Sequence, residues 1–123
     1  MPRVLINFYG DFMFEIKEKQ KVLPDGTRLT TFTREVTSAN TLEVEVGTNG
    51  FKGGSAEHGS RTYLRITDLG NTDMFVKTSR RPYSNNTCEV EFFLGGDCEL
   101  ETIIRALKFA VKVLEEESAE VMD

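Results

Sequence analysis

Between residues 4 and 94 apolar and polar positions alternate with the period of a strand, and only after Gly95-Gly96 does the spacing become that of a helix. Val4, Ile6, Phe8, Phe12, Phe14 and Ile16 make the segment Val4 to Val22 read as extended chain, with Gly10-Asp11 as a bend or bulge within it. Pro24-Asp25-Gly26 combines a preset φ, a turn-capping carboxylate and a residue tolerant of positive φ, so the chain reverses and returns from Thr27 to Val36. Thr41 to Gly47 places Leu42, Val44 and Val46 on one face and Glu43 and Glu45 on the other. Arg61 to Thr67 does the same with Leu64 and Ile66 against Arg61, Tyr63 and Arg65. Opposite charges on these neighbours predict cross-strand pairing of Glu43 and Glu45 with Arg61 and Arg65. Asp68-Leu69-Gly70-Asn71 reads as a turn, Met74 to Thr78 as a short strand, Ser79 to Asn86 as a polar loop and Thr87 to Leu94 as a further strand. Connections this short exclude crossover helices, so the sheet is antiparallel.

Asp97 is a good N-cap, and Glu99 and Glu101 put negative charge in the first turn, where the helix dipole favours it. The periodicity predicts a helix from about Cys98 to Glu117 with a core stripe of Leu100, Ile103, Ile104, Leu107, Ala110, Val111 and Leu114. Arg105, Lys108 and Lys112 form another stripe, and Phe109 and Val113 fall on a further side. That apolar arc is wider than one sheet contact requires, which points to a partner helix or subunit. Ser118 to Asp123 reads as an acidic, fraying tail. The expected fold class is therefore α+β: a small antiparallel β-sheet, made of an N-terminal hairpin plus central strands over about residues 3–94, followed by one long C-terminal α-helix.

At 123 residues the chain is expected to form one domain, spanning residues 1–123, with a single core. Fifteen Lys+Arg against twenty Asp+Glu, a net charge of -5 and a pI near 5.0 argue against general attraction to a nucleic-acid polymer or an anionic membrane. Any phosphate must be held locally. No apolar run approaches the roughly 20 residues that span a bilayer, and Met1-Pro2-Arg3 does not open a signal peptide, so a soluble intracellular protein is expected. Two cysteines and one histidine make neither a disulfide framework nor a Cys/His zinc site, and no metal or cofactor is expected. Cys88 reads as a small buried hydrophobe and Cys98 as a helix-start residue.

The sharpest chemical feature is the run from Gly47 to Arg61. Gly47, Gly50, Gly53, Gly54 and Gly59 are five of the ten glycines of the chain, and glycine lets backbone N–H groups converge on an anion. Thr48, Ser55 and Ser60 add hydroxyls. Lys52 and Arg61 supply charge, and an arginine fork suits a phosphate. The run matches neither the P-loop nor the dinucleotide-binding fingerprint. It reads as a generic anion nest, or as a long soluble hairpin connection. His58, the only imidazole, reads as a ligand-bonding or solvent-exposed group more readily than as a general base oriented by Glu57. Glu43, Glu45, Glu89 and Glu91 read as charge-paired sheet surface rather than acid/base or metal pairs. A second patch, Ser79-Arg80-Arg81-Pro82-Tyr83-Ser84-Asn85-Asn86, offers guanidinium, aromatic and amide groups that suit a phosphorylated base, and equally an ordinary turn. Arg105 and Lys108 either converge with that loop, or Arg105 makes the i,i+4 pair with Glu101.

The run G-T-N-G-F-K-G-G-S-A-E-H-G-S-R-T-Y set between two strands, with a sheet-rich N-terminal part and a C-terminal helix carrying Arg105, resembles the first-described Thoeris anti-defence proteins of phages. The resemblance implies a non-enzymatic homo-oligomeric sponge, a hexamer, acting in the host bacterial cytoplasm on cyclic ADP-ribose-type signals and on cyclic trinucleotides held at separate sites. It implies that Gly59, Ser60 and Arg61 contact the trinucleotide. It implies that Arg105 and Arg28 grip the pyrophosphate of the ADP-ribose-type ligand, and that Tyr83 with Asn85 or Asn86 holds its adenine. Family members carry a second helical arginine where Phe109 stands here, so Lys108 or Lys112 would have to substitute. With the anion-nest reading, the candidate ligand-binding set is Gly53, Gly54, Ser55, His58, Gly59, Ser60, Arg61, Arg28, Arg81, Tyr83, Asn85, Asn86, Arg105 and Lys108, with no catalytic residue. The other two readings are a small nucleotide hydrolase using His58 and Glu57 at the glycine-rich loop, and a protein-interaction module.

Overall fold

The computed structural model describes residues 3–6, 15–54, 58–80 and 88–122. It is an α+β fold. Strands β1 (Arg3–Ile6), β2 (Glu15–Val22), β3 (Arg28–Thr37), β4 (Thr41–Thr48) and β5 (Thr62–Gly70) form a five-stranded antiparallel sheet in the order β1-β2-β3-β4-β5. Strands β6 (Met74–Arg80) and β7 (Cys88–Leu94) form a separate two-stranded ribbon, and α1 (Asp97–Met122) closes the chain.

Several elements differ from the expectation. Val4 to Val22 is not one bent strand, because β1 pairs antiparallel with β2 (Leu5 opposite Ile16) and the two pieces lie side by side. Gly10-Asp11 lies outside the described residues. β5 continues through Asp68, Leu69 and Gly70, and the turn moves on to Asn71, whose φ is +60°. Asp68 and Gly70 pair with Leu42 and Thr41 of β4, and that ladder keeps the segment extended instead of turning. The helix runs on to Met122 instead of stopping at Glu117. Ser118 to Met122 contains no glycine or proline to stop it, and the Ser118 hydroxyl donates back to the Leu114 carbonyl at 2.7 Å.

The helix also presents a different face to the sheet. Ala106, Phe109, Ala110 and Val113 are buried and pack on Val36, Val44 and Val46, with Ile16, Phe32, Ile66 and Leu114 around them, and Thr102 is buried one turn before Ala106. Most of the anticipated core stripe is on the outside: Leu100, Ile104, Leu107 and Val111 are exposed. The reason is size. Ala106 and Ala110 let the helix axis approach the valine surface closely, as larger side chains would not, and Phe109 fills the remaining gap with the Arg34 guanidinium 5.9 Å from its ring centroid. The ribbon likewise presents apolar surface, with Phe75, Val76, Val90, Phe92 and Phe93 all exposed. Cys88 on it is exposed rather than buried.

One buried amide joins the sheet, the ribbon's base and the helix start. Asn40, at the β3–β4 turn, donates to the hydroxyl of Thr72 at 3.1 Å and to that of Thr102 at 3.0 Å. Thr102 in turn donates to the Glu99 carbonyl, and the Glu99 carboxylate accepts the Asp73 amide at 3.2 Å. Asn40 is 1% exposed and Thr102 fully buried. Asn40→Ala removes both of these hydrogen bonds and leaves a void at a fully buried position, and urea denaturation is expected to show a loss of about 2–3 kcal/mol, more than a single neutral hydrogen bond accounts for.

Candidate functional site

The candidate residues fall into separate places, and the strand register says where. β3 begins at Arg28 and ends at Thr37, while Thr31 pairs with Gly47 and Thr37 with Thr41. The glycine-rich connection therefore leaves β4 and enters β5 at the same end of the sheet as Arg28 and the Leu23–Thr27 turn. Arg105 sits at the other end, donating to the Thr37 carbonyl at 3.2 Å. A strand of this length separates them by roughly 30 Å.

At the first end the neck of the connection is a closed lattice. Thr48 donates to the Arg61 carbonyl at 3.0 Å, the Asn49 amide donates to that same carbonyl, and the Arg61 amide donates to the Asn49 side chain at 2.7 Å. The Gly50 amide donates to Thr48 Oγ1. Gly50 and Gly53 take φ of +83° and +71°, in the left-handed region open to glycine, and Gly54 lies against the His58 carbonyl carbon so closely that a Cβ would stand 2.8 Å from it. Lys52, Gly53, Gly54, His58 and Ser60 are exposed and Gly59 is half-buried. Ser55, Ala56 and Glu57 lie outside the described residues.

Arg61 is anchored away from Glu43 and Glu45, its expected partners. It lies one residue before β5, and its Nε donates to Asp25 Oδ2 at 2.7 Å across thirty-six positions of sequence. Its Nη1 donates to the carbonyls of Gly59 and Ser60, both at 3.1 Å. One guanidinium thus pins the end of the glycine-rich connection to the β2–β3 turn. Asp25 serves both sides, since its Oδ1 accepts the Thr27 amide at 3.0 Å. These bonds, that from Arg61 foremost, lower the Asp25 carboxyl to about 2.

Arg65 takes both acids that were expected to be shared. Its Nη2 is 2.8 Å from Glu45 and 2.9 Å from Glu43, and its Nη1 also bonds Thr67. Burial pushes the Glu45 carboxyl up, but the Thr31 hydroxyl at 2.6 Å and the Arg65 guanidinium outweigh it, and the net direction is down. Hydrogen bonds to Glu45 hold the Arg65 guanidinium protonated more firmly than usual. This cluster is the charge-paired sheet surface expected from Glu43 and Glu45, and it reaches from β3 to β5.

On the helix, Arg105 makes the i,i+4 contact with Glu101 at 3.7 Å besides its bond to Thr37. Lys108 is exposed beside Leu107, Val111, Lys112 and Glu115, which line a shallow groove. Arg81, Tyr83, Asn85 and Asn86 lie outside the described residues, so no convergence of Arg105 with that loop is described. Both cysteines are free thiols. Among the described residues no group of three His, Cys, Asp or Glu side chains stands close enough to hold a metal ion, and no helix is long and apolar enough to cross a membrane.

Sequence reasoning placed Arg61 at the start of a strand, one residue before β5 begins, but missed its anchor. Asp25 was legible as a turn cap, and the Oδ1 bond to Thr27 bears that out; nothing local announces that its other oxygen reaches Arg61. Asn49 has no sequence signal beyond its position between Thr48 and Gly50. Compared with protein-family models, curated proteins and solved structures, the chain matches none.

The sign of the acid response follows from the Asp25 carboxyl. Its folded value of about 2 lies below the ordinary 3.8, so the clamp's contribution is complete above pH 3.8 and is lost as pH falls towards 2. NMR of the Gly59, Ser60 and Arg61 amides is expected to show a transition with a midpoint near 2, and Asp25→Asn is expected to abolish it.

Proposed function

We propose that this protein binds and sequesters, without turning it over, a small phosphorylated cyclic nucleotide in the cytoplasm of a bacterial host, and so blocks an antiphage signal. The ligand classes are a cyclic ADP-ribose-type molecule and, at a separate site, a cyclic trinucleotide. The observation that carries the reading is the glycine-rich connection. Its neck is held by Thr48, Asn49, Arg61 and Asp25, while Gly53 and Gly54 and the exposed Lys52, His58 and Ser60 remain on the surface. A rim whose ends are already ordered loses less freedom on binding than a loose loop. An acidic chain with one such local cationic rim suits a small anion better than a polymer.

The roughly 30 Å between Arg28 and Arg105 adds a constraint. These two residues can grip one pyrophosphate only if they come from different copies, which is consistent with a homo-oligomer with sites shared between subunits.

Mass spectrometry of nucleotides released from the purified protein by heat is expected to recover an intact cyclic species. Release of only linear or hydrolysed product, with turnover exceeding protein concentration and abolished by His58→Ala, would establish a hydrolase instead. Calorimetry is expected to show Arg61→Ala weakening the cyclic trinucleotide and Arg105→Ala weakening the ADP-ribose-type ligand. One substitution eliminating both would mean a single shared pocket. Saturating ligand at 100 times its dissociation constant is expected to stabilise the fold by about 2.7 kcal/mol, and no shift with either class would favour a protein-interaction module.

A further inference from the structure

The exposed apolar residues of α1 are not scattered. Leu100, Ile104, Leu107 and Val111 follow one another at spacings of four, three and four, the a/d repeat of a coiled coil, and Leu114, the next position of the repeat, is half-buried against the core. Leucine occupies every d position (Leu100, Leu107, Leu114), and β-branched Ile104 and Val111 occupy the a positions. Leu100, Ile104, Leu107 and Val111 are 57%, 42%, 48% and 54% exposed, so the seam is presented outward. At about 100° per residue it lies roughly 140° around the helix from the face that packs on the sheet, and the sheet does not obstruct it.

We infer that this seam is a two-fold interface in which α1 packs antiparallel against α1 of a second copy of the chain. Leu100 of one copy then faces Val111 of the other, and Ile104 faces Leu107, so that four layers close with a leucine against a β-branched residue in each. Flanking charge selects the orientation. Glu101 and Lys108 both occupy e positions, and the antiparallel arrangement brings Glu101 of each copy beside Lys108 of the other, making two opposite-charge pairs. A parallel arrangement would set Lys108 against Ile103 and Glu115 against Ala110, with no charge pair at all. Glu101 can turn towards a partner: its contact with Arg105 is 3.7 Å and its side chain is 60% exposed. An isolated seam about 16 Å long would be too short to order two helices in water. Here each helix is already ordered by its own sheet, so the interface needs to offset only the cost of association.

The inference sharpens the oligomeric part of the function proposed above, and the two are separable by experiment. Sedimentation equilibrium of the full chain is expected to show dimers or higher even-numbered assemblies. Ile104→Lys is expected to weaken self-association at least a hundredfold, with an unchanged circular-dichroism spectrum. Glu101→Lys and Lys108→Glu singly are each expected to weaken it about tenfold, as two attractive pairs become repulsive, and the double swap is expected to restore it. That rescue depends on orientation and is not produced by a general loss of stability. A monomeric chain, an assembly indifferent to Ile104→Lys, or a double swap no better than the singles would overturn the seam. So would an assembly broken by Val76→Lys on the ribbon but not by Ile104→Lys. A thermal shift with cyclic ADP-ribose on a monomeric protein refutes the seam alone; stable, swap-sensitive dimers that show no shift refute the ligand reading alone.

Discussion

The fold depends on how closely α1 can lie on β3 and β4. Valines at positions 36, 44 and 46 present a flat, stiff surface, and Ala106 and Ala110 present a narrow, shallow one to it. Close-packed contact rewards that match, because each gap in such an interface forfeits dispersion energy that nothing else replaces. Phe109 and Val113 then complete the layer. Once this face is chosen, the larger residues of the helix have nowhere to go but outward, and the leucine and isoleucine stripe becomes surface. The exposed seam follows from the tight core.

The same contact sets the direction of the helix and thereby the position of its charges. Starting beside the β3–β4 turn, where Asn40 ties it to Thr72 and Thr102, the helix brings Arg105 to the Thr37 carbonyl at one end of the sheet. The glycine-rich connection emerges at the other. Arg28 and Arg105 are thereby held apart along the length of β3 instead of gathering on one anion, and the arginine nearest the glycines is engaged by Asp25 and by carbonyls of its own loop. What remains on the surface at that end is a rim of exposed groups on an anchored base.

Much of the fold was legible in the sequence because strand and helix periods are local properties. The alternation in β4, the start of β5, the Pro24-Asp25-Gly26 reversal and the start of α1 just after Gly95-Gly96 were readable to within a residue or two. So was the pairing of Glu45 with Arg65, which stand opposite each other in register. The partner of Arg61 was not. From charge alternation, Glu43 and Glu45 were its natural mates, but Arg65 satisfies both, and Arg61 lies just beyond the strand, within reach of a turn thirty-six positions away. The candidate site was legible as a composition, glycines with hydroxyls and cations, and not as a geometry.

By itself, the sequence determined the element types, the antiparallel sheet, the glycine-rich connection and the amphipathic helix, since each rests on residues a few positions apart. It also showed an apolar arc too wide for one contact. Only the tertiary structure decided which part of that arc meets the sheet. Amphipathic patterning weighs side chains by their hydrophobicity, whereas packing weighs them by their volume, and alanines that add little to the first allow the closest approach in the second. It likewise decided that β1 and β2 pair with each other and that Arg28 and Arg105 stand at opposite ends of one strand. Those are facts of register and direction, and no local pattern of residues contains them.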